Sequence, residues 1–248
     1  MADYFIYTII AFVLSLVFSM GGTGSGIALI PVLNFMGLEF VVAKAVGLFA
    51  GASTTITASV MNFKRKVLDL SFVWPIALMM LIFAPLGAYI SQFFNEHYVK
   101  FFFMLLLFYS ASMMMFGKKK ALYKAEGRAI LFISGAFVGF LAGMLGVGGG
   151  NILMPLLILL GYEPKRVAVT VSSVVPFAAL SSFFTYASYV KLDWVLLLCV
   201  MFASIAGGYL GNYLMHFKLD QKKTKKLMGF LLYILAFKML YNFLIHTV

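Results

Sequence analysis

The reading of this chain turns on two stretches, GGTGSGIALIP at residues 21–31 and GVGGGNILMP at residues 146–155. Slid against itself by 124 residues, half its length of 248, the sequence lays Gly22, Gly24 and Gly26 on Gly146, Gly148 and Gly150, and Pro31 on Pro155. The register runs on without a gap. Gly37 and Glu39 meet Gly161 and Glu163, Asp69 meets Asp193, Gly87 and Tyr89 meet Gly211 and Tyr213, and Leu107, Tyr109 and Met115 meet Leu231, Tyr233 and Met239. Compositional bias does not align glycines, prolines and aspartates at one offset. The chain therefore reads as a duplicated unit, residues 1–124 and 125–248, within one domain.

Its solvent is lipid. With 63% hydrophobic and 11% charged residues, it lacks the polar surface of a water-facing domain, which carries roughly a quarter charged residues. Each half divides into five apolar segments: residues 4–20, 27–36, 41–63, 70–94 and 99–116, then 129–145, 152–160, 167–190, 194–217 and 227–246. The second segment of each half is too short to cross, since about ten helical residues reach about 15 Å into a hydrocarbon core of about 30 Å. The expectation is an all-α polytopic membrane protein whose glycine loops break re-entrant or half helices inside the bilayer. The first 20 residues carry Asp3 and no basic n-region, and so read as a mature span and not a cleavable signal.

An odd number of segments per half makes the second half enter from the opposite side, which predicts inverted repeats. Positive charge tests this, because cytoplasmic loops collect Lys and Arg. With the linker at residues 117–127 inside, inversion puts fifteen of the nineteen cations inside, among them Lys64, Arg65, Lys66, Lys118, Arg128, Arg166, Lys218, Lys225 and Lys226. Lys44, Lys100 and Lys191 fall outside, Lys238 lies within the last span, and both termini are outside. The net charge of +11 is thus a topology signal and implies no nucleic-acid partner.

The chemistry resides in the glycine loops. A half-helix opening inside the bilayer presents unpaired backbone N–H groups and the positive end of its dipole. Two such loops descending from opposite faces would meet near the midplane, the way many secondary transporters build a substrate site, and rings of N–H donors favour a small anion. The candidate site is therefore Gly22, Thr23, Gly24, Ser25 and Gly26 with Gly146, Gly148, Gly149, Gly150 and Asn151, joined by Thr170, Ser172 and Ser173 of the eighth segment. Other in-span hydroxyls read as helix glue. No P-loop Lys follows either glycine run, and His97, His216 and His246 have no metal-ligand spacing. Cys199 is a lone buried thiol, and Lys238 lies close enough to a span end to snorkel. Asp69, Asp193, Glu39 and Glu163 open spans, where capping or dipole compensation explains them. No nucleophile, acid and base constellation can be assembled, so an enzyme fits poorly, and no cofactor is implied.

These motifs resemble the sulfite exporter TauE/SafE family of membrane permeases. The clearest likeness runs from Gly146 through Asn151 to Pro155, then Gly161 and the stretch Ala168 to Ser173; in the first half it runs from Gly22 to Pro31. The resemblance covers essentially the whole chain. It implies a carrier in a prokaryotic cytoplasmic membrane for sulfite, thiosulfate, sulfonates or related organic anions, with the coupling ion, direction and oligomeric state open. A passive anion channel and a non-transporting membrane subunit remain the alternatives. One departure stands out: where the second half has Thr170, Ser172 and Ser173, the first has Val46, Leu48 and Phe49, so the site is expected to be lopsided.

Overall fold

A computed structural model describes residues 2–117, 127–217 and 221–245. Lys118, Lys119, Lys120, Lys124, Lys218 and His246 lie outside the described residues, as do the side chains of His216, Lys222 and Lys223.

Ten helices follow in order: α1 (Ala2–Ser19), α2 (Gly26–Phe35), α3 (Phe40–Lys64), α4 (Leu70–Ser91), α5 (Glu96–Phe116), α6 (Arg128–Leu145), α7 (Gly150–Leu159), α8 (Pro164–Ala187), α9 (Trp194–Phe217) and α10 (Gln221–Ile245). Among the described residues there is no strand. This is what lipid imposes, because only a helix satisfies its backbone within its own segment. Among the described residues seven helices are long and apolar enough to cross a membrane, whereas α2 and α7, at 10 residues each, and the apolar part of α1, Tyr4–Ser19, read from the sequence as a first span, are shorter. The chain is a multi-pass membrane protein. The helices begin and end within about three residues of the apolar segments, except that α10 starts six residues earlier, at Gln221. Hydropathy marks where lipid starts, while the hydrogen-bonded helix continues into the interface.

Helices 124 residues apart in the sequence cross antiparallel. At one end of the central α3–α8 pair Lys44 meets Tyr186; at the other, the Ser59 hydroxyl donates to the Ser172 carbonyl at 2.7 Å and the Asn62 amide donates to the Ser172 hydroxyl at 2.9 Å. Likewise α5 crosses α10 with His97 stacked on Phe243 near one end and Ser112 hydrogen-bonded to Tyr233 near the other. The most extensive of the other contacts exchange the halves: α4 packs on α6, and α1 on α9. Small residues permit this closeness. Gly135, Gly139 and Gly143 of α6 lie against the α4 backbone at Ile76, Met80 and Ala84, and Gly207 and Gly211 of α9 lie against α1 at Phe12 and Leu16. None of these five has room for a Cβ.

Asp69 caps α4 by accepting from the Ser71 and Phe72 amides, and Asp193 caps α9 by accepting from Val195 and Leu196. Glu39 and Glu163 occupy the equivalent positions before α3 and α8 without a side-chain cap bond, leaving only charge against the dipole. Lys238 lies with its ammonium 4.6 Å from the centre of the Phe35 ring.

Candidate functional site

Both glycine loops reach the middle of the central pair. A Cβ on Gly24 would meet Thr55 and Gly51 of α3; a Cβ on Gly148 would meet Val175 and Ala179 of α8, the residues 124 positions on. Both glycines have left-handed backbone, φ 78° and 70°, where a side chain would add strain to the crowding. The loops also touch each other, since a Cβ on Gly150 would sit 3.0 Å from the Thr23 carbonyl oxygen.

Beside this contact lies a cavity of about 380 Å³. The first loop contributes Gly21 and Thr23; α7 contributes Asn151, Met154, Pro155 and Ile158; α5 contributes Ser110, Met113, Met114, Met115 and Gly117. Pro164, Lys225 and Lys226, at the starts of α8 and α10, complete the wall. Thr23, Ser110 and Asn151 are 3%, 2% and 4% exposed, and the Thr23 and Ser110 hydroxyls and both polar atoms of the Asn151 amide have no hydrogen-bond partner. An orphaned buried polar group costs about 1–3 kcal/mol, and such groups are few in native proteins. Three converging on one cavity have the form of a ligand site. The set offers neutral donors around a buried floor with two lysines at the cavity edge, which suits an anion.

The other candidates named from the sequence are engaged elsewhere. Ser25 accepts from Ser15 at 2.9 Å and lies 3.2 Å from the Thr54 hydroxyl, tying the first loop to α1 and α3. Thr170 donates to the Arg166 carbonyl, and Ser172 and Ser173 both donate to the Val169 carbonyl, so all three bond their own helix and none lines the cavity. Gly26 abuts Gly47, Gly149 abuts Met80 and Ala142, Gly146 abuts Lys44, and a Cβ on Gly22 would meet open space.

The sequence reading missed Ser110 and the methionine wall, because they lie on α5, outside the loops, with nothing local to distinguish them from other span residues. It counted Lys225 and Lys226 as topology charges. Lys44, which the charge count places on the outer side, is 2% exposed and lies within the first two turns of α3. Its ammonium donates to Ser91 at 2.9 Å and Tyr186 at 3.0 Å.

Outside the spans, Asp69 is held below the usual carboxylate range by donation from Ser71 and, against the opposing effect of burial, by its ion pair with Arg166. Asp193 is lowered chiefly by the Tyr4 hydroxyl and also by the Leu196 amide.

Comparison with known proteins extends the likeness over the chain. The family model described as Sulfite exporter TauE/SafE matches residues 7–239. A "Probable membrane transporter protein" of Methanocaldococcus jannaschii is 23% identical over 192 residues, covering 72% of this chain and 70% of its own length. A protein of the same description from Bacillus subtilis is 32% identical over 124 residues, 48% of this chain and 43% of its own length. No solved structure matches.

Proposed function

Because the chain belongs to the sulfite exporter TauE/SafE family, we propose that this membrane transporter is a secondary carrier of small sulfur-containing anions: sulfite, thiosulfate, sulfonates or related organic anions. It works by alternating access in a prokaryotic cytoplasmic membrane. Its halves, residues 1–124 and 125–248, are inverted repeats with both termini outside, so the cavity opens to the cytoplasm. The reading draws support from the antiparallel crossings of α3 with α8 and of α5 with α10, the geometry that inversion requires.

One observation carries the site: the unpartnered Thr23, Ser110 and Asn151 groups converging on a cavity where the two glycine loops touch. An anion sheds its water shell there in exchange for the Thr23 and Ser110 hydroxyls, the Asn151 amide, and the first-turn N–H groups that follow Gly22–Gly26 and Gly146–Gly150. Lys225 and Lys226 raise its concentration at the cavity edge. Thr170, Ser172 and Ser173 act indirectly, by holding α8 behind the second loop.

Counterflow in proteoliposomes tests this. Vesicles are loaded with unlabelled sulfite, thiosulfate, a sulfonate, sulfate or phosphate, and entry of labelled thiosulfate is followed against empty vesicles and Gly148→Val. Transient accumulation with sulfur anions, absent in the variant, is expected. Equilibration without overshoot would indicate a channel, and absence of protein-dependent flux would point to a non-transporting subunit.

A further inference from the structure

Lys44 is the one charged side chain among the described residues that is fully buried, and the carrier cycle above does not use it. We propose that its ammonium is the anion-binding group of the state open to the face opposite the cavity, and that Ser91 and Tyr186 are its partners only while that face is closed. The proposal rests on the carrier reading.

Its place in the fold carries the argument. The cavity wall includes Pro164, the first residue of α8; Tyr186, near the other end of α8, bonds Lys44. Twenty-two helical residues separate them, about 30 Å, so Lys44 guards the far end of the central pair. It also lies on the back of the second glycine loop: a Cβ on Gly146 would overlap three carbons of the Lys44 stem, while Asn151, five residues on, faces the cavity. An anion crossing the loop from Asn151 therefore arrives at Lys44.

The chemistry of the pocket agrees. Among the described residues Lys44 makes no ion pair: Glu96 acts on it only through space and is itself paired with Lys100 at 2.6 Å. Neutral oxygens and the faces of Tyr186 and Phe40 surround the cation, 4.5 and 5.5 Å away. A buried charge with no counter-ion in direct contact is costly in a membrane, and an oxyanion supplies that contact. Ser91 ends α4, and Tyr186, which donates to the Gly143 and Met144 carbonyls, ends α8 against α6. Separating these helix ends opens the face and frees the ammonium in one step. The ligand is a free anion and not a lipid phosphate, because the closed pocket does not reach the lipid surface.

The test measures half-saturating thiosulfate from each face separately, in oriented proteoliposomes of zwitterionic lipid. Lys44→Gln should raise it at least tenfold at the Lys44 face and less than twofold at the cavity face, with Lys44→Arg close to wild type. An equal change at both faces, or none at either, overturns the assignment while leaving the carrier intact; absence of saturable wild-type flux overturns both. If Lys44→Gln does not fold, Tyr186→Phe keeps the ring and removes one closed-state partner. It should lower half-saturation at the Lys44 face, and an unchanged or higher value refutes the proposal.

Discussion

The two glycine loops share a backbone and differ in how they are held. The first is tied by side chains, with Ser25 linked to Ser15 on α1 and Thr54 on α3. The second has Gly149 where the first has Ser25, and it is held by packing: Met80, Ala142 and Val138 close on Gly149, and the Lys44 stem closes on Gly146. Their polar groups also sit at different registers. Thr23 corresponds to Val147, and Asn151 corresponds to Ile27, yet Thr23 and Asn151 line one cavity. The two loops share what the backbone does, the turn and the close approach, while their side chains divide the remaining work unequally.

The hardest test of the shared backbone is Gly24→Val beside Gly148→Val. Both force a branched side chain onto left-handed backbone against a central helix, and a displacement of about 1 Å at such a site costs about a hundredfold in rate. Both variants should lose flux by that order while still eluting as folded protein; a loss in only one would break the equivalence of the loops.

Side-chain divergence is tested next. Asn151→Leu should raise half-saturating substrate about tenfold, the value of a hydrogen bond to a charged group, with Thr23→Val smaller because one hydroxyl is lost instead of an amide. Ile27→Asn should have no such effect on affinity, since Ile27 packs in the core.

Ser25→Ala probes the tie of the first loop. It should lower stability by about 1 kcal/mol, read as a drop in Tm, with little change in half-saturation.

The smallest effect is expected at Asp69, outside the loops. Its native carboxyl titrates below its unfolded value, so its contribution is complete above the usual carboxylate range and disappears as pH falls through the lowered native value. Asp69→Asn retains the cap and loses the Arg166 pair, an exposed interaction of at most about 1 kcal/mol. Its Tm deficit at pH 7 should begin to shrink only as pH falls below the usual carboxylate range, whereas that of Ser25→Ala should persist unchanged.

Much of the site was legible because its backbone is local. Glycine spacing and a segment too short to cross announce a broken helix, and Thr23 and Asn151 lie inside those motifs. Thr170, Ser172 and Ser173 could not be sorted in the same way, because a span hydroxyl that bonds the carbonyl three or four residues back looks no different in sequence from one aimed at a ligand. Ser110 carries no motif at all, and α5 brings it to the cavity only through tertiary packing against α7 and α10.

The sequence by itself determined the spans, the 124-residue repeat and the two glycine loops, because the energies behind them are local: lipid demands internally bonded helices of fixed length, and glycine sets the turns. Tertiary structure alone decided which polar groups are left without partners and where the buried charge sits. Thr23, Ser110 and Asn151 come from three parts of the chain, and Lys44 is buried by Ser91, Tyr186 and Gly146, residues 47, 142 and 102 positions away. Desolvation and hydrogen bonding are properties of such distant neighbours, and periodicity along one helix does not encode them.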